Sequence, residues 1–308
     1  MQTILGSGGS IGMHLVPALS AFNAGPVRLA GRNPKPYSNE ETFKMDLLEA
    51  AATADAVAGS GVVYLLAGLQ YDTGVWKADW PKVMDNVIAA CVKHKAKLVF
   101  IDNVYMYGLV RGWMTEETPY NPCSRKGEVR AEIANRLMDR VKKGDLNALI
   151  ARSADFLGPG ATNTFMHPMI FLKFKDRKSG QWIANDKVKH SFSYTPDLGK
   201  AVALLGNTAD AYNQVWHLPT SKDAVNGKEF ISIAARAMGV DPKYSVLKTW
   251  MMRLAAPFNK LAKESLEMAY QYEYEYLFDS SKFESRFFRA TPSAEAVKLT
   301  ADSYKGVV

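Results

Sequence analysis

The amino-acid sequence predicts an α/β protein: a doubly wound parallel sheet followed by a smaller C-terminal lobe. Three observations predict it. Short apolar runs alternate with longer amphipathic stretches through the first half, the pattern of βαβ units. A glycine-rich loop stands directly after the first apolar run. Beyond Gly158-Pro159-Gly160 the alternation gives way to short segments, aromatic clusters and Pro/Gly breaks up to about Val240.

Taken in order, the runs at 2–5, 27–30, 61–66, 97–101 and 147–152 read as strands. The first is short and mostly apolar, as suits a strand buried on both faces. Helical patterns lie between them at 12–23, 47–58, 80–94 and 126–143. Spacings of about 20–35 residues leave room for the crossover that a parallel pair requires. Residues 249–276 read as one or two amphipathic helices rich in Met, Phe and Tyr. No internal repeat or low-complexity segment stands out.

Composition narrows the class. With 308 residues, 47% hydrophobic and 22% charged, the chain has the make-up of a soluble globular protein with one large or two modest domains. No apolar run reaches the about 18 residues of a membrane span. With Met1 to Leu5 followed directly by Gly6, no cleavable leader is expected. Cys91 and Cys123 lack metal or disulfide spacing, so reduced thiols and a cytoplasmic location are expected. The net charge is +7, but the basic residues are scattered, densest at 93–97 and 173–178. No helix-turn-helix, zinc or RNA-binding signature accompanies them, so no nucleic-acid partner is expected. His167, His190 and His217 are widely separated and imply no metal.

The loop Gly6-Ser7-Gly8-Gly9-Ser10-Ile11-Gly12 carries the sharpest signal. Gly6, Gly9 and Gly12 allow a tight turn, close approach of a pyrophosphate and packing of a helix on the sheet. Ser10 and Ile11 then lie at the helix start, where free N–H groups and the helix dipole favour phosphate. This is a Rossmann-type dinucleotide loop. The next strand should end about 20 residues on with the group that reads the adenosine ribose. There the chain reads Leu29-Ala30-Gly31-Arg32-Asn33, with no acidic residue. Arg32 can pair with a 2′-phosphate, so NADP(H) is favoured over NAD(H). The alternative is a solvated arginine in the turn before Pro34.

Together these residues resemble the extended or atypical short-chain dehydrogenase/reductases, the NAD(P)-dependent sugar epimerase/dehydratase family. The GxxGxxG spacing is that family's form. Met45-Asp46-Leu47 resembles its adenine-contacting aspartate-hydrophobic pair, and Leu66-Ala67-Gly68 its segment along the cofactor. Asn86 matches its helix asparagine, and Phe100 to Gly108 its F-S-S-S-x-x-V-Y-G stretch. Arg152 to Gly160 is similar to R-x-x-N-V-Y-G-P-G, which puts Ser153 and Ala154 beside the cofactor and Asp155 at the substrate-facing asparagine. His190 to Ala201 resembles R-D-F-x-x-V-x-D-x-A-x-A, and 278–282 with Thr291-Pro292 the family's ending. The resemblance implies a dinucleotide-binding domain over 1–160 and a substrate lobe over 161–308, with about 190–220 returning to the first domain.

The family's catalytic Ser/Thr, Tyr and Lys are all replaced. By motif register the serine position is Asn103, the tyrosine position Lys126 and the lysine position Arg130. Asn103 can still donate a hydrogen bond to a carbonyl. Arg130 can still hold ribose hydroxyls but cannot give up a proton near neutral pH. Lys126 is either a proton donor, if desolvated, or a solvated lysine at a helix start. Tyr105 is a substitute acid in an extended segment, and Tyr107 either a second one or a ring packed beneath the cofactor. Asp155 contacts substrate, acts as a base, or is paired, because a lone buried carboxylate is costly. Asp197 reads as a helix-capping residue. The stripe Met251, Met252, Leu254, Phe258, Met268, Tyr270 and Tyr272 lines an apolar substrate pocket or forms lobe core.

The expected activity is NADP(H)-dependent reduction of a small carbonyl or activated alkene with a non-standard proton donor. Two alternatives stand beside it: nucleotide-sugar epimerisation or dehydration, and a non-catalytic NADP(H)-binding sensor or scaffold. The resemblance also implies a homodimer through helices at 81–95 and 126–143.

Overall fold

The computed structural model of the chain describes residues 1–22 and 25–305. Seven strands form one sheet: β1 Gln2–Leu5, β2 Val27–Gly31, β3 Glu41–Lys44, β4 Val62–Leu65, β5 Lys97–Asp102, β6 Ala148–Arg152 and β7 Val215–His217. Their order is β3-β2-β1-β4-β5-β6-β7, and every neighbouring pair is parallel. The helices α1 Gly12–Ala21, α2 Ala50–Val57, α3 Thr73–His94, α4 Arg125–Lys142 and α5 Thr195–Gly206 accompany it. This is the Rossmann-type α/β fold that the sequence predicts. The direction of winding reverses between β1 and β4, the switch point at which such sheets bind ligands.

The differences from expectation have physical reasons. Strand β3, Glu-Thr-Phe-Lys, is an exposed edge strand without an apolar run to announce it. Strand β7 has three residues, too few to show a period. Helix α3 begins at Thr73 rather than 80, because Asp72 caps it by accepting from Val75 N at 2.9 Å. Pro81 is accommodated inside that helix. The last residue of the expected helix 12–23, Asn23, lies outside the described residues. The expected helices over 249–276 are three short ones, Thr249–Ala255, Lys260–Leu266 and Tyr270–Glu273.

The chain divides into two compact units. The first comprises Met1–Met106, Arg125–Ser153 and Pro196–Leu218 and contains the sheet. Strand β1 is buried throughout, and each aliphatic side chain removed from water there contributes about 1.5–3 kcal/mol. Its polar members are satisfied: Tyr64 OH donates to Gln2 Oε1 at 2.6 Å, and Thr3 Oγ1 meets Ser60 Oγ at 2.7 Å. Gly199 lets α5 lie against α1, since a Cβ there would stand 2.5 Å from the His14 carbonyl carbon.

The second unit comprises Tyr107–Ser124, Ala154–Thr195 and Pro219–Val308. Its core gathers Phe171, Phe174, Trp182, Phe230, Tyr272 and Val297. Among the described residues no helix is long and apolar enough to cross a membrane. No group of three or more His, Cys, Asp or Glu among them is placed to hold a metal.

Candidate functional site

Because the sheet is parallel, the chain leaves five adjacent strands at the same edge. Gly6 follows β1, Arg32 follows β2, Ala67 and Gly68 come just after β4, Asn103 follows β5 and Ser153 follows β6. Topology alone therefore collects most of the expected cofactor residues along one line.

Gly6 is held there on two counts. Its φ is +86°, and a Cβ would sit 2.6 Å from Ala67 Cα. A side chain on Gly12 would strike the Ser7 carbonyl oxygen, whereas one on Gly9 would meet no protein atom within 4 Å. The loop is thus tight on its protein side and open at Gly9. No side chain caps α1 at Ile11; in its first turn Met13 N donates to Gly9 O at 3.4 Å and His14 N to Ile11 O at 3.1 Å. Ser10 is half-buried in the turn before it.

Arg32 is exposed, and its guanidinium takes part in no hydrogen bond or ion pair with the described residues. Beyond it, Tyr37 donates its hydroxyl to the Ser7 carbonyl at 2.8 Å. Glu40 fastens this strap by accepting from the Tyr37 and Ser38 amides, both at 2.8 Å. Burial, then the nearby Glu40 charge, pushes the Tyr37 phenol up. Nothing in the sequence marks Tyr37, because its partner is a backbone carbonyl thirty residues away. Asp46 Oδ1 accepts from Leu48 N at 3.0 Å, and Asn86 Nδ2 donates to Leu47 O at 2.8 Å. The Asp46-Leu47 turn is thereby tied to α3.

Asn103 forms a closed turn, its Oδ1 accepting from Tyr105 N at 3.1 Å. Its amide Nδ2 remains available as a donor. Tyr105 lies in a short 3-10 turn, Tyr105–Tyr107, not in an extended segment, and its ring stacks on Trp76 with centroids 6.1 Å apart. Ser153 is 2% exposed, and its Oγ has no hydrogen-bond partner among the described residues. A buried hydroxyl of this kind costs about 1–3 kcal/mol unless something pairs with it. That orphaned group, with the open Gly9 and the disengaged Arg32, fits a dinucleotide laid along the edge.

Lys126 is not a solvated lysine. It is fully buried, with Nζ donating to Thr73 Oγ1 at 2.9 Å and lying 4.5 Å from the centre of the Tyr71 ring. Helix α4 delivers it from its first turn, and Thr73 comes from the first turn of α3.

Arg130, one turn further along α4, is engaged elsewhere. Its Nε meets Asp102 Oδ1 at 3.0 Å, and Asp102 Oδ2 lies 3.7 Å from Arg152 Nε. The guanidinium sits over Trp80 at 4.4 Å and Trp76 at 5.3 Å. Burial pushes the Asp102 carboxyl up, against the pull of Arg130 and then Arg152. Burial likewise lowers the Arg130 guanidinium, against the pull of Asp102. The expected ribose contact from Arg130 must therefore contend with a buried ion triad and an aromatic wall that already hold this side chain.

In the second unit, Asp155 resolves as a paired carboxylate. Its Oδ2 accepts from Tyr272 OH at 2.6 Å and meets His190 Nε2 at 3.1 Å, while Oδ1 has no partner among the described residues. His190 is 1% exposed and stacked between Tyr272 and Tyr276, at 4.3 and 4.4 Å. Its Nδ1 lies 3.1 Å from Gln271 O, a carbonyl that can only accept, so Nδ1 carries a proton. Oδ2 thus receives the Tyr272 hydroxyl and faces the His190 ring edge, so both neighbours fix this oxygen in place. Sequence reasoning assigns His190 no metal and places it only at the start of the 190–201 stretch, and it places Tyr272 only in a stripe. The three residues lie 35 and 117 positions apart, so no local motif joins them.

Two expected positions are occupied by protein partners. Ala154 N donates to Ser193 Oγ at 3.0 Å. Tyr107 is buried edge-on to Tyr120, its centroid 6.1 Å away.

The model of the NAD dependent epimerase/dehydratase family matches residues 3–217. The chain belongs to that family. Solved structures of similar fold include a dTDP-glucose 4,6-dehydratase from Streptomyces venezuelae, a double mutant with NAD bound, at 15% identity and a TM-score of 0.80. That likeness covers 100% of this chain and 97% of the other. The Thermus thermophilus UDP-glucose 4-epimerase with NAD follows at 18% identity and a TM-score of 0.79, covering 100% of both chains. MoeE5 in complex with UDP-glucuronic acid and NAD is 18% identical, with a TM-score of 0.81, over 100% of this chain and 99% of that one. At such identities the likeness is one of fold. No curated protein matches the chain in sequence.

Proposed function

We propose that this epimerase/dehydratase-family chain is a pyridine-dinucleotide enzyme, preferring NADP(H) to NAD(H), that reduces a small carbonyl or activated alkene. The observation that carries the cofactor reading is the alignment of Gly6, Arg32, Ala67, Asn103 and the orphaned Ser153 hydroxyl along the carboxyl edge of one parallel sheet. Gly6, Gly9, Ser10, Ile11 and Gly12 would hold the pyrophosphate and Arg32 a 2′-phosphate. Asp46 and Leu47 would flank the adenine, and Ala67, Gly68, Ser153 and Ala154 the remainder. When bound, the cofactor supplies or accepts hydride.

The reductive reading rests on Lys126. It is a buried amine, held by Thr73 and Tyr71 at the position where the family places a phenol, and so is the candidate for the proton donor. In the proposed division of labour, Asn103 Nδ2 holds the substrate oxygen and Lys126 protonates it, with solvent restoring the proton. Arg130 keeps α4 in place through Asp102. Asp155 offers Oδ1 to a substrate O–H or N–H, while His190 and Tyr272 keep its other oxygen fixed.

The comparisons favour a second reading, nucleotide-sugar epimerisation or dehydration, because the similar structures carry NAD with such ligands or are named for such reactions. Homodimerisation through α3 and α4 is a further part of the proposal.

One experiment separates the readings. NADPH is supplied with a panel of aldehydes, ketones and enones, and in parallel NAD with UDP-glucose and dTDP-glucose. Reduced-cofactor absorbance and sugar products are followed. Stoichiometric loss of NADPH, abolished by Lys126→Met, supports reduction. A changed sugar with no net cofactor consumption supports the second reading instead. Neither outcome, with cofactor binding intact, contradicts catalysis and leaves a binding protein.

A further inference from the structure

The helices Thr249–Ala255 and Lys260–Leu266 present an apolar surface that their unit does not cover. Trp250, Met251, Leu254 and Leu261 are 60%, 39%, 67% and 63% exposed, and Phe258, in the corner between the helices, is 93% exposed. The corner is built, not frayed: Phe258 N and Asn259 N both donate to Ala255 O, and Asn259 Oδ1 caps the second helix by accepting from Ala262 N. The opposite side is anchored, with Met252 and Ser265 buried. Met251, Leu254 and Phe258 therefore do not line an internal pocket or form lobe core, as the stripe in the sequence suggested. Only Met252, Met268 and Tyr272 of that stripe are buried.

Charge identifies the occupant. Residues 248–263 contain Lys248, Arg253, Lys260 and Lys263 and no acidic side chain, the first acids being Glu264 and Glu267. Trp, Phe and Leu rimmed by Lys and Arg, with an aromatic residue at the protruding corner, are the elements of a helix pair that rests in the headgroup region of an anionic bilayer. We propose that this helical corner docks the protein on the surface of anionic lipid membranes, Phe258 and Trp250 entering the acyl boundary while the four basic residues face the headgroups. No span is involved. The proposal is independent of the cofactor reading.

The test is vesicle flotation of the full chain with phosphatidylcholine alone and with equal parts phosphatidylcholine and phosphatidylglycerol. Binding to the anionic vesicles only, weakened by salt, is expected, with a blue shift of tryptophan emission that Trp250→Phe diminishes. Phe258→Glu, at a residue 93% exposed, should lower partitioning by about tenfold or more, since bilayer affinity follows buried apolar area. Replacing Lys248, Arg253, Lys260 and Lys263 together by Gln should remove the preference for anionic lipid. Equal binding by the wild-type chain and Phe258→Glu, or no flotation with either vesicle, would overturn the proposal. A change in self-association on Phe258→Glu without any flotation would overturn it too, assigning the corner to a second copy of the chain.

Discussion

The glycine-loop edge and the Lys126 neighbourhood belong to one unit, yet they are built on opposite principles. Along the edge the protein leaves capacity unused: Arg32 is disengaged, Gly9 is open and the Ser153 hydroxyl has no partner. Around Lys126 and Arg130 that capacity is taken up by Thr73, Tyr71, Asp102 and the Trp76 and Trp80 rings. The first arrangement is what a ligand completes. The second is held by partners that the protein itself supplies.

The contrast can be broken most forcefully at Gly6. Gly6→Val meets both a left-handed φ and the Ala67 backbone. It should lower dinucleotide affinity by about a hundredfold or more, read by nucleotide fluorescence titration. Unchanged affinity would remove the loop from the site. Next in size is Asp102→Asn, which leaves two guanidiniums buried without their counter-charge. A loss of about 3–5 kcal/mol is expected, measured as a lower denaturant midpoint. Little loss would mean that the aromatic wall alone holds Arg130.

Arg32→Ala sharpens the comparison from the open side. It should weaken NADPH by about 10–100-fold, the range for a charged hydrogen bond, and leave NADH unchanged. Equal loss for both cofactors would show that Arg32 reads no 2′-phosphate. The smallest effect belongs to Tyr37→Phe. Removing the one bond from the strap to Ser7 should weaken either cofactor by about three- to tenfold, and no change would show the strap to be irrelevant to binding.

The same contrast explains what the sequence discloses. The edge is legible because it is made of contiguous backbone features: a glycine loop after an apolar strand, an arginine at a strand end, and parallel strands that deliver their termini to one side. The polar edge strand β3 and the three-residue β7 escape because neither has a hydrophobic period. Burial of Lys126 is not legible, since a lysine in the first turn of a helix reads as solvated and its partner Thr73 lies 53 residues earlier. The pairing of Asp155 with His190 and Tyr272 escapes for the same reason. Side-chain pairing over such separations is decided by tertiary packing, and Phe258 shows the converse, an apolar stripe that packing leaves outside.

The most direct test of the open edge is thermal unfolding of the pure protein with NADPH and with NADH. At a ligand concentration about a hundred times Kd, binding stabilises the folded state by about 2.7 kcal/mol, a rise of several degrees in Tm. The account predicts that rise with NADPH and a smaller one with NADH at equal concentration. An unchanged Tm with both would contradict it, because a sheet edge with an open loop, a disengaged arginine and a buried orphaned hydroxyl would then be completed by something other than a pyridine dinucleotide.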